Sequence, residues 1–384
     1  MKKVLIGIVC MLVLLTGCQS ESVQYIEKEE KTISIRKMMQ TGSYAIDSGC
    51  YYVNNQGYLY FFDYATEESV IVCPRPDCSI EESSESYIAG ASYFVYKDRL
   101  YVIKRDLSDS NFVRGLLIES DLDRGNRKEI ASLPSYDILS FAQYGNKVYF
   151  AIDEQKMELD KETGNIQNAD KSLCYLYSVN LDTKEGTKTS LCMEDYNNSI
   201  EIVCSDDNSK LLVKYSYFEH KYDGTNFEAS KNHTEYYEYD LNDDTYQLLD
   251  KKSISEHMIS DAMYSNDGNR LFTIEKDQTT SEINVISCDL KNDTAEILDQ
   301  TQSYPIVLDS WYFSQDNDEW QQLSSEGVVK PFKGRFREDL KVLEAVGEYF
   351  ICITVGKESE NQVFIKQDDY FKGNNQYIDF VSGE

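Results

Sequence analysis

Three histidines, His220, His233 and His257, ten cysteines and a large surplus of carboxylates are the residues of this 384-residue chain with chemistry to offer. His220 and His233 share one polar segment, but their separation matches no zinc motif, which needs close pairs backed by cysteine or acidic partners. They read as solvent-exposed loop histidines. Cys73-Pro-Arg-Pro-Asp-Cys78 is a close cysteine pair in a proline-punctuated loop, suited to a local disulfide or to half of a metal site. No Gly-x-Ser-x-Gly elbow supplies a hydrolase nucleophile. Acid pairs such as Asp206-Asp207 and Asp243-Asp244 are neighbours in turns, whereas glycosidase carboxylates must face each other across a cleft. No complete Asp-x-Asp-x-Asp-Gly calcium loop is present. The sequence therefore assigns no catalytic residue, no metal and no cofactor.

A formal net charge of −29 repels nucleic acid and anionic headgroups, so nucleic acid is excluded as a partner and a solvated acidic surface is expected. Thirty tyrosines against five prolines, in Val/Ile-rich segments cut by Asn, Asp and Gly, describe β-structure. Most cysteines beyond the N-terminus, among them Cys352 in Tyr-Phe-Ile-Cys-Ile, sit singly in apolar strand patterns and read as small buried hydrophobes.

The N-terminus is Met1-Lys2-Lys3, an apolar run from Val4 to Leu15, then Thr16-Gly17-Cys18 and the polar Gln19-Ser20-Glu21-Ser22. The run of about 12 residues is too short for a hydrocarbon core that needs ~20, and has the make-up of an export signal. Leu15-Thr16-Gly17-Cys18 resembles the lipobox of bacterial lipoproteins. That resemblance implies a signal peptide at 1–17, cleavage before Cys18 and a diacylglyceryl group on its thiol. Two acyl chains are about what stable anchoring requires. The expected location is the extracytoplasmic face of the cell membrane, with residues 18–32 as an acidic tether.

Residues 33–384 repeat themselves, and the repeat decides the fold. A turn followed by an aromatic, β-branched strand recurs seven times, at Cys50-Tyr51-Tyr52-Val53, Leu100-Tyr101-Val102-Ile103, Val148-Tyr149-Phe150, Leu211-Leu212-Val213, Leu271-Phe272, Trp311-Tyr312-Phe313 and Tyr349-Phe350-Ile351. A strand ending in Asp or Asn plus an apolar residue trails the first five, as in Asp63-Tyr64, Asp121-Leu122, Asn180-Leu181, Asp240-Leu241 and Asp289-Leu290. Gln321-Gln322-Leu323 and Lys366-Gln367-Asp368 are degenerate sixth and seventh copies. Four antiparallel strands per ~40–50 residues is the pattern of a propeller blade, which buries both faces only by stacking on its neighbours. The expected fold is all-β: a single β-propeller of about seven four-stranded blades, with six or eight as alternatives. Ile33-Ser34-Ile35 is expected to close it against the last blade.

Ser265-Asn266-Asp267-Gly268-Asn269-Arg270-Leu271-Phe272 resembles the heart of the WD40-like repeats of TolB-type propellers. It departs from the sialidase Asp box, where one residue separates Asp from Gly and the motif ends in Trp. The Cys73–Cys78 segment resembles one in exported clostridial-type propeller lipoproteins, where a histidine and a third cysteine follow the pair. Here Ile80 replaces that histidine and no cysteine lies between Ser79 and Tyr87, which favours a loop-stapling disulfide.

In a propeller, the loops joining second to third strands and those joining blades leave the same face. Asp153–Ser172 and Glu219–Glu235 are long insertions of the first kind, and Cys73–Ser86 falls in the second. They are expected to form a binding rim on blades one to four. His220, Tyr222, Phe227 and His233 are the candidate contacts. The leading reading is a non-enzymatic lipoprotein acting as a binding or scaffold propeller for a protein or a cell-envelope glycan. The alternative is a carbohydrate-active hydrolase or lyase working in the propeller mouth.

Overall fold

The computed structural model describes residues 33–37, 43–75, 85–106, 114–135, 138–154, 157–159, 166–168, 171–205, 209–218, 232–255, 259–277, 280–308, 311–316, 319–334, 336–356 and 361–381. The signal and tether assigned to 1–32 lie outside them. Five four-stranded antiparallel sheets and one eight-stranded sheet carry the fold. The eight-stranded sheet is two blades joined by one long strand, Gly186–Ser205. Up to Asp195 it pairs with Ser172–Asn180, and from Tyr196 onward with Lys210–Phe218. Seven blades result, spanning 43–71, 92–133, 138–195, 196–248, 261–301, 306–332 and 340–379. Every aromatic strand of the sequence repeat is the second strand of its blade.

The Asp or Asn ending the third strand is a turn device. Asp63 Oδ1 accepts the backbone N–H groups of Ala65 and Thr66 at 2.8 and 3.0 Å. Asn180, Asp240 and Asp289 accept from the equivalent two residues at 2.8–3.1 Å. Four residues after each, the chain turns left-handed, at Glu67, Lys184, Asp244 and Asp293. Asp and Asn suit the turn because a short side-chain acceptor replaces a missing backbone partner. The next, apolar residue donates its N–H to the first turn of its own blade: Tyr64 to Ser48, Leu181 to Asn146, Leu241 to Ser209 and Leu290 to Asn269, at 2.8–3.1 Å. Blade seven keeps that bond without the acid, from Gln367 N to Glu348 O at 3.0 Å. Asp243 and Asp244 are thus parts of a turn.

The core is a set of seams between blades. One cluster runs through blades one, two and three, and four more fill the seams three–four, four–five, five–six and six–seven. The sixth joins blade seven to blade one: Phe62 and Phe364, both fully buried, stack with centroids 4.1 Å apart and planes 8° apart. Tyr52 packs against Phe364 and Phe380 at 5.3 and 4.2 Å. The first strand of blade one touches the first strands of both blade two and blade seven. Among the described residues, no strand from one terminus completes a sheet at the other, so first and last blades meet through side chains.

The N-terminal strand departs from expectation. Ile33–Lys37 does not close against blade seven; it pairs antiparallel with the first strand of blade three, Ile33 opposite Tyr144 and Lys37 opposite Ser140. Blade seven already has its fourth strand in Tyr377–Asp379, so no place is open there. The first strand of blade three, Ile138–Tyr144, offers a long free edge of backbone donors and acceptors instead.

Candidate functional site

On blade four, the second strand Lys210–Phe218 pairs with the third strand Asn232–Asp240 out to Phe218 opposite Asn232. Side chains alternate across a strand, so Tyr215, Tyr217, His233, Glu235 and Tyr237 share one face. Deep on that face, Tyr215 is buried against blade three. Tyr217 and His233, next to the insertion, are half-buried, as are Glu235 opposite Tyr215 and Tyr237 one step farther from the insertion. Tyr217 stacks on Tyr215 at 5.2 Å and on His233 at 5.1 Å, with planes 25° and 15° apart. Glu235 holds the array: its two oxygens accept the Tyr217 and Tyr237 hydroxyls at 3.1 and 2.6 Å. Burial, and then Glu235, push the Tyr237 phenol above its ordinary pKa, so it stays protonated as a donor.

The adjoining seam with blade three is polar and ordered. Asp153 Oδ1 accepts from Ile200 N and from the Cys174 thiol, both at 3.1 Å. Asn198 donates to Ser172 O at 2.9 Å and to Tyr215 Oη at 3.3 Å, and Tyr215 donates to Asp195 at 3.1 Å. Cys174 is fully buried, and burial with the Asp153 charge drives its thiol far above the ordinary range. The thiolate is the nucleophile, so Cys174 is not poised for covalent chemistry. Tyr215 is likewise held protonated by burial and Asp195. What this face offers is flat aromatic surface beside fixed acceptors, suited to stacking on a sugar ring or a cationic side chain.

Of the residues singled out from sequence, His220, Tyr222, Phe227, His257, Cys78 and Cys18 lie outside the described residues. His233 is described, and it corrects two expectations. It sits on a strand, paired with Tyr217, so it is not a loop histidine, and the insertion is 219–231 because residues 232–235 belong to the sheet. The blade-three insertion is shorter too: Asp153 and Glu154 end one strand, Ser172 begins the next, and a small hairpin pairs Met157–Leu159 with Ile166–Asn168. Cys73 is disulfide-bonded, while Cys50, Cys174, Cys192, Cys204, Cys288 and Cys352 are thiols outside any disulfide, five of them buried. The flanks of the Cys73–Ser86 segment are pinned to the seam of blades one and two, where Pro74 and Glu85 meet the turn 121–126.

Sequence reasoning missed Tyr217, Glu235 and Tyr237. The signal was there: Tyr215-Ser216-Tyr217 and His233-Thr234-Glu235-Tyr236-Tyr237 alternate with period two on either side of the insertion. A further cleft, between blades six and seven at the opposite strand ends, is lined by Val307, Trp311, Phe313, Ala345 and Gln367. Lys330 Nζ lies 5.1 Å from the Trp311 ring centroid. Among the described residues, no three His, Cys, Asp or Glu side chains form a metal-holding group, and no helix is long and apolar enough to cross a membrane.

No family model and no curated protein matches the chain. Among solved structures it is similar in chain trace to dipeptidyl peptidase 4 of Porphyromonas gingivalis, with 10% identity, a TM-score of 0.48, and 90% of this chain against 54% of that one. The chain thus spans about half the length of the peptidase. It is similar also to the β-propeller domain of the Trilobed protease from Pyrococcus furiosus, with 10% identity, a TM-score of 0.48, and 92% and 97% of the two chains covered. TolB from Acinetobacter baumannii matches with 14% identity, a TM-score of 0.35, and 74% and 63% coverage. With TM-scores below 0.5 these likenesses carry no argument about this chain, and no activity passes from them to it.

Proposed function

We propose that this propeller is an exported lipoprotein, anchored through diacylglyceryl Cys18, that binds a protein or a cell-envelope glycan on the rim of blades three and four. The half-buried Tyr217–His233 stack, braced by Glu235 and Tyr237 at the root of the 219–231 insertion, carries this reading. Aromatic surface placed beside fixed hydrogen-bonding groups is how rigid β-scaffolds hold sugars and peptides. The anchor rests on the Leu15-Thr16-Gly17-Cys18 sequence.

Two substitutions test the face. Tyr217→Ala and His233→Ala each weaken binding of the purified protein to isolated cell envelopes by about tenfold, a loss of about 1.4 kcal/mol. Cosedimentation measures it, and unchanged binding in both variants contradicts the assignment. For the anchor, Cys18→Ser moves the protein from the membrane fraction to the soluble exported fraction and ends incorporation of labelled palmitate. Retention of label in that variant rules out Cys18 as the lipidated residue.

A further inference from the structure

The strand Ile33–Lys37 fixes the face from which the N-terminal segment leaves the propeller. First strands are the innermost of their blades: that of blade one touches those of blades two and seven, and that of blade six touches that of blade seven. Ile33–Lys37 pairs with the inner edge of blade three's first strand and touches the long strand Gly186–Ser205 that opens blade four, so it lies on the axial side of both. Its register gives its direction. Ile33 is opposite Tyr144, which pairs with Lys147 across the Gly145-Asn146 turn, and Lys37 is opposite Ser140, nearer the other end. The chain therefore enters at the face of the first turns and runs toward the face of the second-to-third loops. The next strand agrees. Ser43–Ile46 starts at the loop face, Ser43 opposite Tyr52, and finishes at the turn face, Ile46 opposite Gly49.

The candidate rim is on the other face. In blade three Glu154 and Leu173 are the last pair before the insertion, and in blade four Phe218 and Asn232 are. Both insertions join second to third strands, at the strand ends away from the first turns. Cys18 and Ile33 are 15 residues apart, at most about 50 Å of fully extended chain. To bring the rim against the membrane, that length would have to pass outward across a blade, ~20 Å, and then along its strands, ~25 Å, at ~4.8 Å between strands and ~3.3 Å per residue. Almost none would be left, and no partner would fit between rim and bilayer. With the turn face toward the membrane the detour disappears.

We infer that the short tether holds the protein with its turn face toward the membrane and the rim of blades three and four directed away from it. The rim is thereby offered to the outer layers of the envelope, and its partner lies beyond the bilayer surface. This orientation rests on the lipid anchor proposed above.

The test is energy transfer to a labelled membrane. The full chain, lipidated in cells and purified in detergent, is reconstituted into phosphatidylcholine vesicles whose headgroups carry an acceptor dye. A fluorescent amino acid replaces either Asp47, exposed in the first turn of blade one, or Gln56, exposed in its second-to-third loop. The two positions lie roughly 20 Å apart along the strands, and transfer from position 47 exceeds that from position 56 by at least about twofold. Inserting about 30 Gly/Ser residues after Lys31 lengthens the reach and removes the difference. Flotation with the vesicles checks the anchor separately, in the parent and in Cys18→Ser. A parent that floats but gives equal transfer from both positions, or more from position 56, overturns the orientation and leaves the anchor standing. A difference that survives the Gly/Ser insertion overturns it too, because something other than the tether then turns the molecule. A parent that does not float overturns the anchor and the orientation together. Envelope binding by Tyr217→Ala and His233→Ala reports the rim itself and is read independently.

Discussion

Phe364→Ala lowers the free energy of unfolding by about 3–5 kcal/mol, the cost of emptying a fully packed aromatic site. The magnitude follows from where Phe364 sits. It is fully buried at the seam of blades seven and one, stacked on Phe62 at 4.1 Å and on Phe380 at 4.4 Å, with Tyr52 edge-on at 5.3 Å. Propellers commonly guard this seam with a strand shared between first and last blades; here side chains do that work. Polar ties across it among the described residues include Asn54 Nδ2 to Val381 O at 3.3 Å, Val381 N to Tyr52 Oη and Tyr349 Oη to Glu67 at 3.4 Å, Ser43 to Glu344, and Lys366 to Glu67. Single hydrogen bonds contribute about 0.5–1.5 kcal/mol net and an exposed ion pair such as Lys366–Glu67 about 0–1 kcal/mol, so none of them alone makes up for a lost phenyl ring. The control is Val70→Ala on the outer strand of blade one, 55% exposed, with an expected change within about 0.5 kcal/mol. Urea unfolding of both variants decides the matter, and a Phe364→Ala loss below about 1 kcal/mol contradicts the seam's role.

Replacing residues 219–231 by a two-residue Asn-Gly turn reduces envelope binding by about a hundredfold or more and leaves the fold intact. The boundary matters physically. Phe218 lies opposite Asn232, so a two-residue connection of the hairpin type rejoins the strands in register. A cut extended to Glu235 would remove the partners of Tyr217, Ser216 and Tyr215 and damage blade four itself. With the shorter cut, His233, Glu235 and Tyr237 keep their places, so lost binding reports the insertion itself. Circular dichroism and melting unchanged from the parent show that the blade survived. Full binding by this variant removes the insertion from the account.

Much of the fold was legible in the sequence because a blade repeats one local pattern. The second strands could be read from runs such as Cys50-Tyr51-Tyr52-Val53 and Val148-Tyr149-Phe150, where aromatic and β-branched residues fill both faces of a strand buried between blades. Third strands could be read from their closing Asp or Asn, although the reason emerged only from the backbone bonds those side chains accept. The partner of Ile33–Lys37 was not legible. Five residues with no strong face pattern can pair with any free edge, and the edge chosen lies some hundred residues along the chain. At the candidate face, His233 was found by its residue type, but its strand environment was hidden because the insertion was read as ending at Glu235. Arg124 was invisible for another reason. Asp123-Arg124-Gly125-Asn126 reads as an exposed polar turn, and only the packing of Pro74 and Glu85 against it shows that Arg124 is buried.

The central claim is that blade four presents a working face at the strand ends that the 219–231 insertion joins. Site-specific photo-crosslinking in intact cells tests it most directly, with a photoreactive aromatic residue at Tyr217 and, as control, at Val70. The account predicts one dominant envelope adduct from position 217, absent from position 70 and lost when 219–231 is replaced. No adduct from position 217, or the same adducts from both positions, would contradict it.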